Sequence, residues 1–533
     1  MDGQIKARTL KVPITNVYAK GDYCAQLQLG KPPQRVNLIL DTGSSTLVVK
    51  QGVVKQSDVK QSLESQSLES QSLKNQSAYR PEDDKLLTPT SLAQEVNYGI
   101  GGWDGPVVTT RVAIYEENCQ EPEENKCEEN CQEPEENRCE ENCQEPREST
   151  CEESGEDEAH RPLVLESCHL AIVSSVKQQQ TFADADGILG LGYHHLNKSY
   201  DLKAYLERHH HSPAVTYPWP FADAKAKDHS QSDTKSNCQS DVKSQSSSKD
   251  KQKAEPSFSS EDLKQFKHFL WQQPEQDLIP YFTALEEHGL TANKFALYSR
   301  RSSIHVSNTA FTPKQLADDP LNQGWLILGD AEQHTELYRG NFRTIKVDHD
   351  IYYNVTLTSI RVGNQAVIPA PALEEQYRKN YYSNAIVDTG ASAIALTEPL
   401  YLAMLASLEA ISPTFAPLIA PFKEIAAQET GIDASLLDLS QWPEITFSFI
   451  GDIKDDVGAL DAGISREVSI VCKPESYWQL NAPSEGRACF KILSQLPNWP
   501  NQTLLGLPLL NDHLVIFDRS VHITGVIRFA EQK

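Results

Sequence analysis

Two short segments, Leu40-Asp41-Thr42-Gly43-Ser44-Ser45 and Val387-Asp388-Thr389-Gly390-Ala391-Ser392, place the same Asp-Thr-Gly turn behind an apolar strand at points 347 residues apart. A glycine turn fixes the backbone and aims the preceding aspartate outward. Two such turns related by pseudo-symmetry would face their carboxyls across a shared site, the composition of an acid/base pair. A chain carrying both must therefore fold so that distant halves meet.

Further motifs lie around these turns in a fixed order. Asn97-Tyr98-Gly99-Ile100-Gly101-Gly102 reads as a hairpin tip, and Asp186-Gly187-Ile188-Leu189-Gly190-Leu191-Gly192 as a glycine-rich strand following the first turn. Leu504-Leu505-Gly506-Leu507-Pro508 repeats that strand after the second turn, ahead of Val515-Ile516-Phe517-Asp518-Arg519. Together these residues resemble the pepsin-like aspartic proteases, whose two β-lobes each give one Asp-Thr-Gly to a common cleft. The resemblance implies a mostly β, bilobal fold with a cleft between pseudo-symmetric lobes. The N-terminal lobe is expected over 10–300 and the C-terminal lobe over 301–533.

The same resemblance implies an aspartic endopeptidase in which Asp41 and Asp388 activate a water, with no cofactor and no metal. Thr42 and Thr389 would interlock beneath the pair, Gly43 and Gly390 would bring amides to the carboxylates, and Ser44 would donate to Asp41. Tyr98 and Gly99 would cover substrate from the hairpin tip. Ile188 resembles a wall of the pocket for the residue before the cut, with an ordinary core position as the alternative. Extended peptide with apolar residues flanking the cut is the expected substrate, at acidic pH.

Two departures stand out. Ala391 occupies a position where many relatives carry Thr or Ser, which removes a donor to Asp388 and should raise the pair's apparent pKa. Val48 stands where many relatives carry a Trp that bonds the hairpin tyrosine. Trp103 could compensate, or face solvent or a subsite.

The 533 residues contain 39% hydrophobic residues with 26 Gly and 30 Pro, which suits a loop-rich β protein with a real core. Alternation in Val36–Leu40 and Ile351–Leu357 predicts half-buried strands. A helix is expected after the second turn, with Thr397 as cap, Glu398 and Pro399 in the first turn, then Leu400, Ala403, Leu405 and Leu408. Three polar tracts break the pattern, at 56–77, 116–160 and 194–260. Their composition buries too little apolar surface to offset chain entropy, so most of each is expected to be mobile insertion, the runs His194-His195 and His209-His210-His211 included.

The net charge of −25 is unevenly spread, since Glu116 to Glu158 holds 19 acidic and 3 basic residues. There is no basic stripe, so no nucleic-acid partner is expected. Nor is there an apolar run long enough to cross a membrane. Six of the eleven cysteines, Cys119, Cys127, Cys131, Cys139, Cys143 and Cys151, recur in the acidic tract with a 12-residue unit. We read them as copies of a duplicated unit, with metal binding or recruitment of a basic partner as the alternative. Cys472 and Cys489 could form a disulfide in an oxidising compartment and should be thiols in cytoplasm.

The N-terminus shows no apolar signal-like run and leaves little room for a prosegment before the first strands. These features resemble the signal-less, prosegment-less bacterial homologues. They imply a cytoplasmic monomer acting on polypeptides, or a secreted or periplasmic one if the N-terminus is already processed. A catalytically silent pepsin-fold module that binds peptide or protein is the rival reading; silent descendants usually lose an aspartate or the hairpin tyrosine.

Overall fold

The computed structural model describes residues 7–52, 79–97, 101–116, 161–176, 182–221, 263–424, 426–452, 467–497 and 499–533. Tyr98 and Gly99, the tract at 56–77, and the acidic tract apart from Glu116 lie outside these residues.

Strands dominate, and their burial follows the sequence alternation. In Ile445–Ile450 the residues Ile445, Phe447 and Phe449 are buried and the residues between them are half-buried, as a sheet with one covered face requires. Gln34–Asp41 begins in the same manner but ends fully buried at Leu38, Ile39, Leu40 and Asp41. There it is central, with antiparallel Asp22–Leu29 on one side and parallel Gly187–Gly190 on the other.

The largest sheet runs through both halves of the chain. It extends from Glu275–Asp277 at one edge through the hairpin Thr88–Asn97/Gly102–Ile114 to Gln34–Asp41 and Leu10–Ala19. Leu10–Ala19 pairs with Gln323–Leu328, and the sheet continues through Lys294–Tyr298, His513–Asp518 and Val526–Gln532 to Tyr338–Lys346. A five-stranded sheet, among the described residues, carries the second Asp-Thr-Gly segment in the order Asn354–Val355, Ala385–Val387, Thr503–Leu505, Ile394–Leu396, Ile492–Ser494.

The expected helix spans Glu398–Ile411, but Thr397 makes no capping bond and its buried hydroxyl is without a hydrogen-bond partner. Its core face is Leu400, Tyr401, Met404 and Leu408; Ala403 and Leu405 are half-buried. Four buried side chains at about 1.5–3 kcal/mol each outweigh a cap of about 1 kcal/mol, so packing sets the helix. The expected strand from Ile351 starts only at Asn354, because Tyr352 and Tyr353 lie in a turn.

The third polar tract divides. Residues 194–221 are folded, with strand Lys198–Asp201 and helix Lys203–Arg208, and 222–260 lie outside the described residues. Composition averaged over the tract hid the apolar residues Tyr200, Leu202, Tyr205 and Leu206, all buried. Cys472 and Cys489 are free and buried, so the conditional disulfide is not formed. They lie in different sheets, and their thiols donate to the carbonyls of Pro508 and Ala482 respectively.

Candidate active site

Each Asp-Thr-Gly turn is framed in the same way. Gln34–Asp41 ends beside Gly187–Gly190 with Asp41 in register with Gly190. The Leu191 amide donates to the Asp41 carbonyl at 2.7 Å, and the Gly192 amide to the Ser44 carbonyl at 2.6 Å. A Cβ on Gly190 would stand 2.4 Å from the Ser45 carbonyl carbon and the Thr46 nitrogen, so only glycine admits this approach. In the second half Ala385–Val387 runs parallel to Thr503–Leu505, with Val387 opposite Leu505. The Asp388 amide donates to Leu505 O at 3.0 Å, and the Leu507 amide to Ala391 O at 2.8 Å. A Cβ on Gly506 would lie 2.2 Å from Ala393 O.

The two turns meet through their threonines. The Thr42 amide donates to Thr389 Oγ1 at 3.0 Å, and the Thr389 amide to Thr42 Oγ1 at 2.9 Å. Each hydroxyl in turn donates across the junction, Thr42 to Val387 O at 3.1 Å and Thr389 to Leu40 O at 2.8 Å. Above this base the carboxyls of Asp41 and Asp388 lie close enough to interact directly. The Gly43 amide donates to Asp41 Oδ1 at 2.7 Å and the Gly390 amide to Asp388 Oδ1 at 2.9 Å. Each carboxyl also abuts the opposite glycine. A Cβ on Gly43 would stand 2.8 Å from Asp388 Oδ2, and one on Gly390 2.6 Å from Asp41 Oδ1.

Burial raises both members of the pair. Burial raises the Asp388 pKa well above the usual range, and the charge of Asp41 adds to it, against a lowering by the Gly390 amide. Burial also raises Asp41, but the Ser44 hydroxyl, the Gly43 amide and the proximity of Asp388 pull it back. The Ser44 hydroxyl lies close enough to exert this pull without making a hydrogen bond of good geometry. The arrangement favours one proton shared by the two carboxyls, whose raised titration belongs to the pair.

Three neighbouring groups were invisible to motif reading. Asp22, partly exposed as a residue, buries Oδ1 without a partner. Desolvation pushes its pKa up to about 8, opposed by the charge of Lys491 and reinforced by that of Asp41. Lys491 is 7% exposed, and burial lowers its pKa. The Tyr352 phenol is held up first by burial and then by the charges of Asp388 and Asp41. A tyrosine expected in a strand thus lies in the field of the pair.

The hairpin pairs through Val96 with Trp103 and Asn97 with Gly102, up to the residues that precede Tyr98. Trp103 does not face solvent: it is fully buried in a cluster with Val48, Ile188, Ile39, Phe182 and Ala171. Ile188 is 4% exposed in that cluster, paired with Val48. Large Trp103 and small Val48 therefore fill one space. Among the described residues no His/Cys/Asp/Glu group could hold a metal ion, and no helix is long and apolar enough to cross a membrane.

A family model described as eukaryotic aspartyl protease matches residues 22–130 and 295–531, more than half of the chain. A curated relative, the beta-secretase of Strongylocentrotus purpuratus, is 21% identical over 260 residues. That similarity covers 48% of this chain and 45% of the relative, so the chain spans about half of its length.

Proposed function

We propose that this chain, which belongs to the eukaryotic aspartyl protease family, is an active endopeptidase with Asp41 and Asp388 as its acid/base pair. The observation that carries the reading is the threonine junction that sets two buried carboxyls side by side, each braced by its own turn amide and against the opposite glycine. In the resting pair one proton is shared. The ionised carboxylate takes a proton from a water held between the two, while the protonated one donates to the scissile carbonyl oxygen. Attack gives a tetrahedral diol with no covalent enzyme intermediate. The pair then donates its proton to the amide nitrogen, the C–N bond breaks, and a hydroxyl of the collapsing diol returns its proton to the pair, restoring the shared proton.

Above the pH at which the shared proton is lost the general acid disappears, so pH would restrain the enzyme. The raised pair moves that limit upward from the ordinary carboxylate range. Tyr98 and Gly99 remain the candidates for covering substrate, and the substrate would be an extended polypeptide with apolar residues beside the cut.

A pH series of cleavage on a denatured protein tests this, comparing the parent chain, Asp41→Asn, Asp388→Asn, and the parent with a statine-type mimic of the diol. We expect bell-shaped or acid-favoured turnover, blocked by the mimic and reduced on the order of 10²–10⁴-fold in either variant. A parent that binds peptide but cleaves nothing between pH 3 and 8 would instead identify a silent binding module.

A further inference from the structure

We infer that the folded segment at 197–221 and 263–277 is a splint for the hairpin strand Thr88–Asn97, and that Asn197 is the positioning residue tying this strand to the first Asp-Thr-Gly loop. The inference rests on the endopeptidase reading for its consequence and on independent contacts for its geometry.

The segment covers the outer edge of the hairpin. Lys198–Asp201 pairs antiparallel with Thr88–Asn97, Tyr200 opposite Ala93 and Asp201 opposite Leu92, and Glu275–Asp277 pairs on its far side. An edge strand left alone would be free to bend or to pair with another chain. Side chains lock the addition in place: Ser91 Oγ donates to Asp201 Oδ1 at 2.7 Å, and Thr216 Oγ1 to Leu92 O at 2.6 Å. Tyr200, Tyr205, Phe266, Phe269 and Leu270 pack around Ala93. Tyr205 and Phe269 have ring centres 4.5 Å apart in an edge-on arrangement, so this satellite core is a specific aromatic lattice.

Nearer the tip, Lys267 Nζ lies 3.3 Å from Glu95 Oε1, whose side chain is only 4% exposed, and Asn97 Nδ2 donates to the same oxygen at 2.5 Å. A charge on the helix is thus tied to the strand at Glu95, two residues before its end. At its inner side the contact reaches the catalytic loop. Asn197 Oδ1 accepts from Gln94 Nε2 of the hairpin strand at 2.9 Å and from Thr46 Oγ1 at 3.0 Å. Thr46 follows Ser45 directly, and Asn197 itself is 3% exposed, with its amide donating to His194 O and its carbonyl accepting from Leu278. One buried amide oxygen therefore joins the hairpin, the loop bearing Asp41 and the root of the splint. Moving any one of them must strain or break a bond that has no water to replace it.

Four proteins decide the matter: the full parent chain, Asn197→Ala, Lys267→Met, and Asn197→Asp as the conservative variant that keeps the acceptor. Kinetics are read as separate kcat and KM on one peptide. Amide hydrogen exchange is read over Thr88–Asn97 and Leu47–Lys50. We expect Asn197→Ala to lower kcat/KM about tenfold, consistent with a small misplacement of a positioned group. Its exchange should rise in both strands, with partial recovery in Asn197→Asp. Lys267→Met, at a half-buried position whose apolar replacement keeps the stem's packing, should raise KM several-fold, leave kcat within about twofold and speed exchange in Thr88–Asn97 alone. Unchanged exchange in folded Lys267→Met and Asn197→Ala overturns the inference whether or not the parent cleaves peptide. A parent without activity whose variants do show faster exchange leaves the splint standing and removes the endopeptidase reading instead.

Discussion

Thr42 and Thr389 are each other's hydrogen-bond partner twice over, each amide donating to the other's hydroxyl at 3.0 and 2.9 Å, with both residues buried. This reciprocity brings the two aspartates together, because each threonine is the residue that follows its aspartate. The carboxyls are thus placed by backbone groups locked to two short, buried hydroxyl side chains, which is the kind of preorganisation that acid/base chemistry requires.

Thr389→Val should therefore cost more than a surface threonine would. It leaves the Thr42 amide and the Leu40 carbonyl without their partner, and each buried orphan costs about 1–3 kcal/mol. Urea denaturation should show a loss within or above that range, along with reduced turnover. A loss no larger than that of an exposed control such as Thr309→Val would refute the role of the junction.

The paired glycines behind the turns make a second prediction. Gly190→Ala and Gly506→Ala would each drive a methyl into backbone at 2.4 and 2.2 Å, so both should displace an aspartate-bearing loop and abolish activity even if the chain still folds. Gly340→Ala is the comparison, since nothing lies within 4 Å of its added Cβ and only its φ of +74° opposes the change. It should cost about 1 kcal/mol and leave kcat/KM intact. Equal kinetic damage from all three would remove the argument.

Stability should fall as pH rises from about 4 to about 8. An unfolded aspartate ionises near 3.9, whereas Asp22 holds its proton up to about 8 and Asp388 is also raised well above its ordinary value. Between those limits the unfolded state binds fewer protons than the folded one, so unfolding gains with each step in pH. Asp22→Asn and Asp388→Asn should each flatten the decline in a denaturation series at pH 4, 6 and 8. Slopes parallel to the parent would mean that neither carboxyl is raised.

Ala391→Thr should shift to lower pH the limb of the kcat/KM profile on which the shared proton is lost. Asp388 has the Gly390 amide but no hydroxyl donor equivalent to Ser44, and a new donor to the charged form lowers the pair's apparent pKa. A limb that stays in place or moves upward would contradict this.

Much of the site was legible without coordinates, and particular residues show why. Asp41, Thr42, Gly43 and their counterparts at 388–390 belong to a turn whose geometry is set within a few residues, so the pattern suffices to recognise it. The glycines at 190 and 506 are equally readable, since a close backbone approach tolerates no other residue. Trp103 was not readable in this way. Its burial against Val48 and Ile188 depends on three segments that meet only in the folded sheet.

Sequence alone determined the strand alternation, the two aspartate turns and their framing glycines, because these follow from chain stereochemistry acting over a few residues. Tertiary structure decided that Tyr352, Asp22 and Lys491 lie in the field of the pair, that Cys472 and Cys489 stay thiols, and that Asn197 joins the hairpin to the first turn. The strength of a charge, the reach of a thiol and the partners of a buried amide depend on distance and water exclusion. Both are created only when remote segments pack.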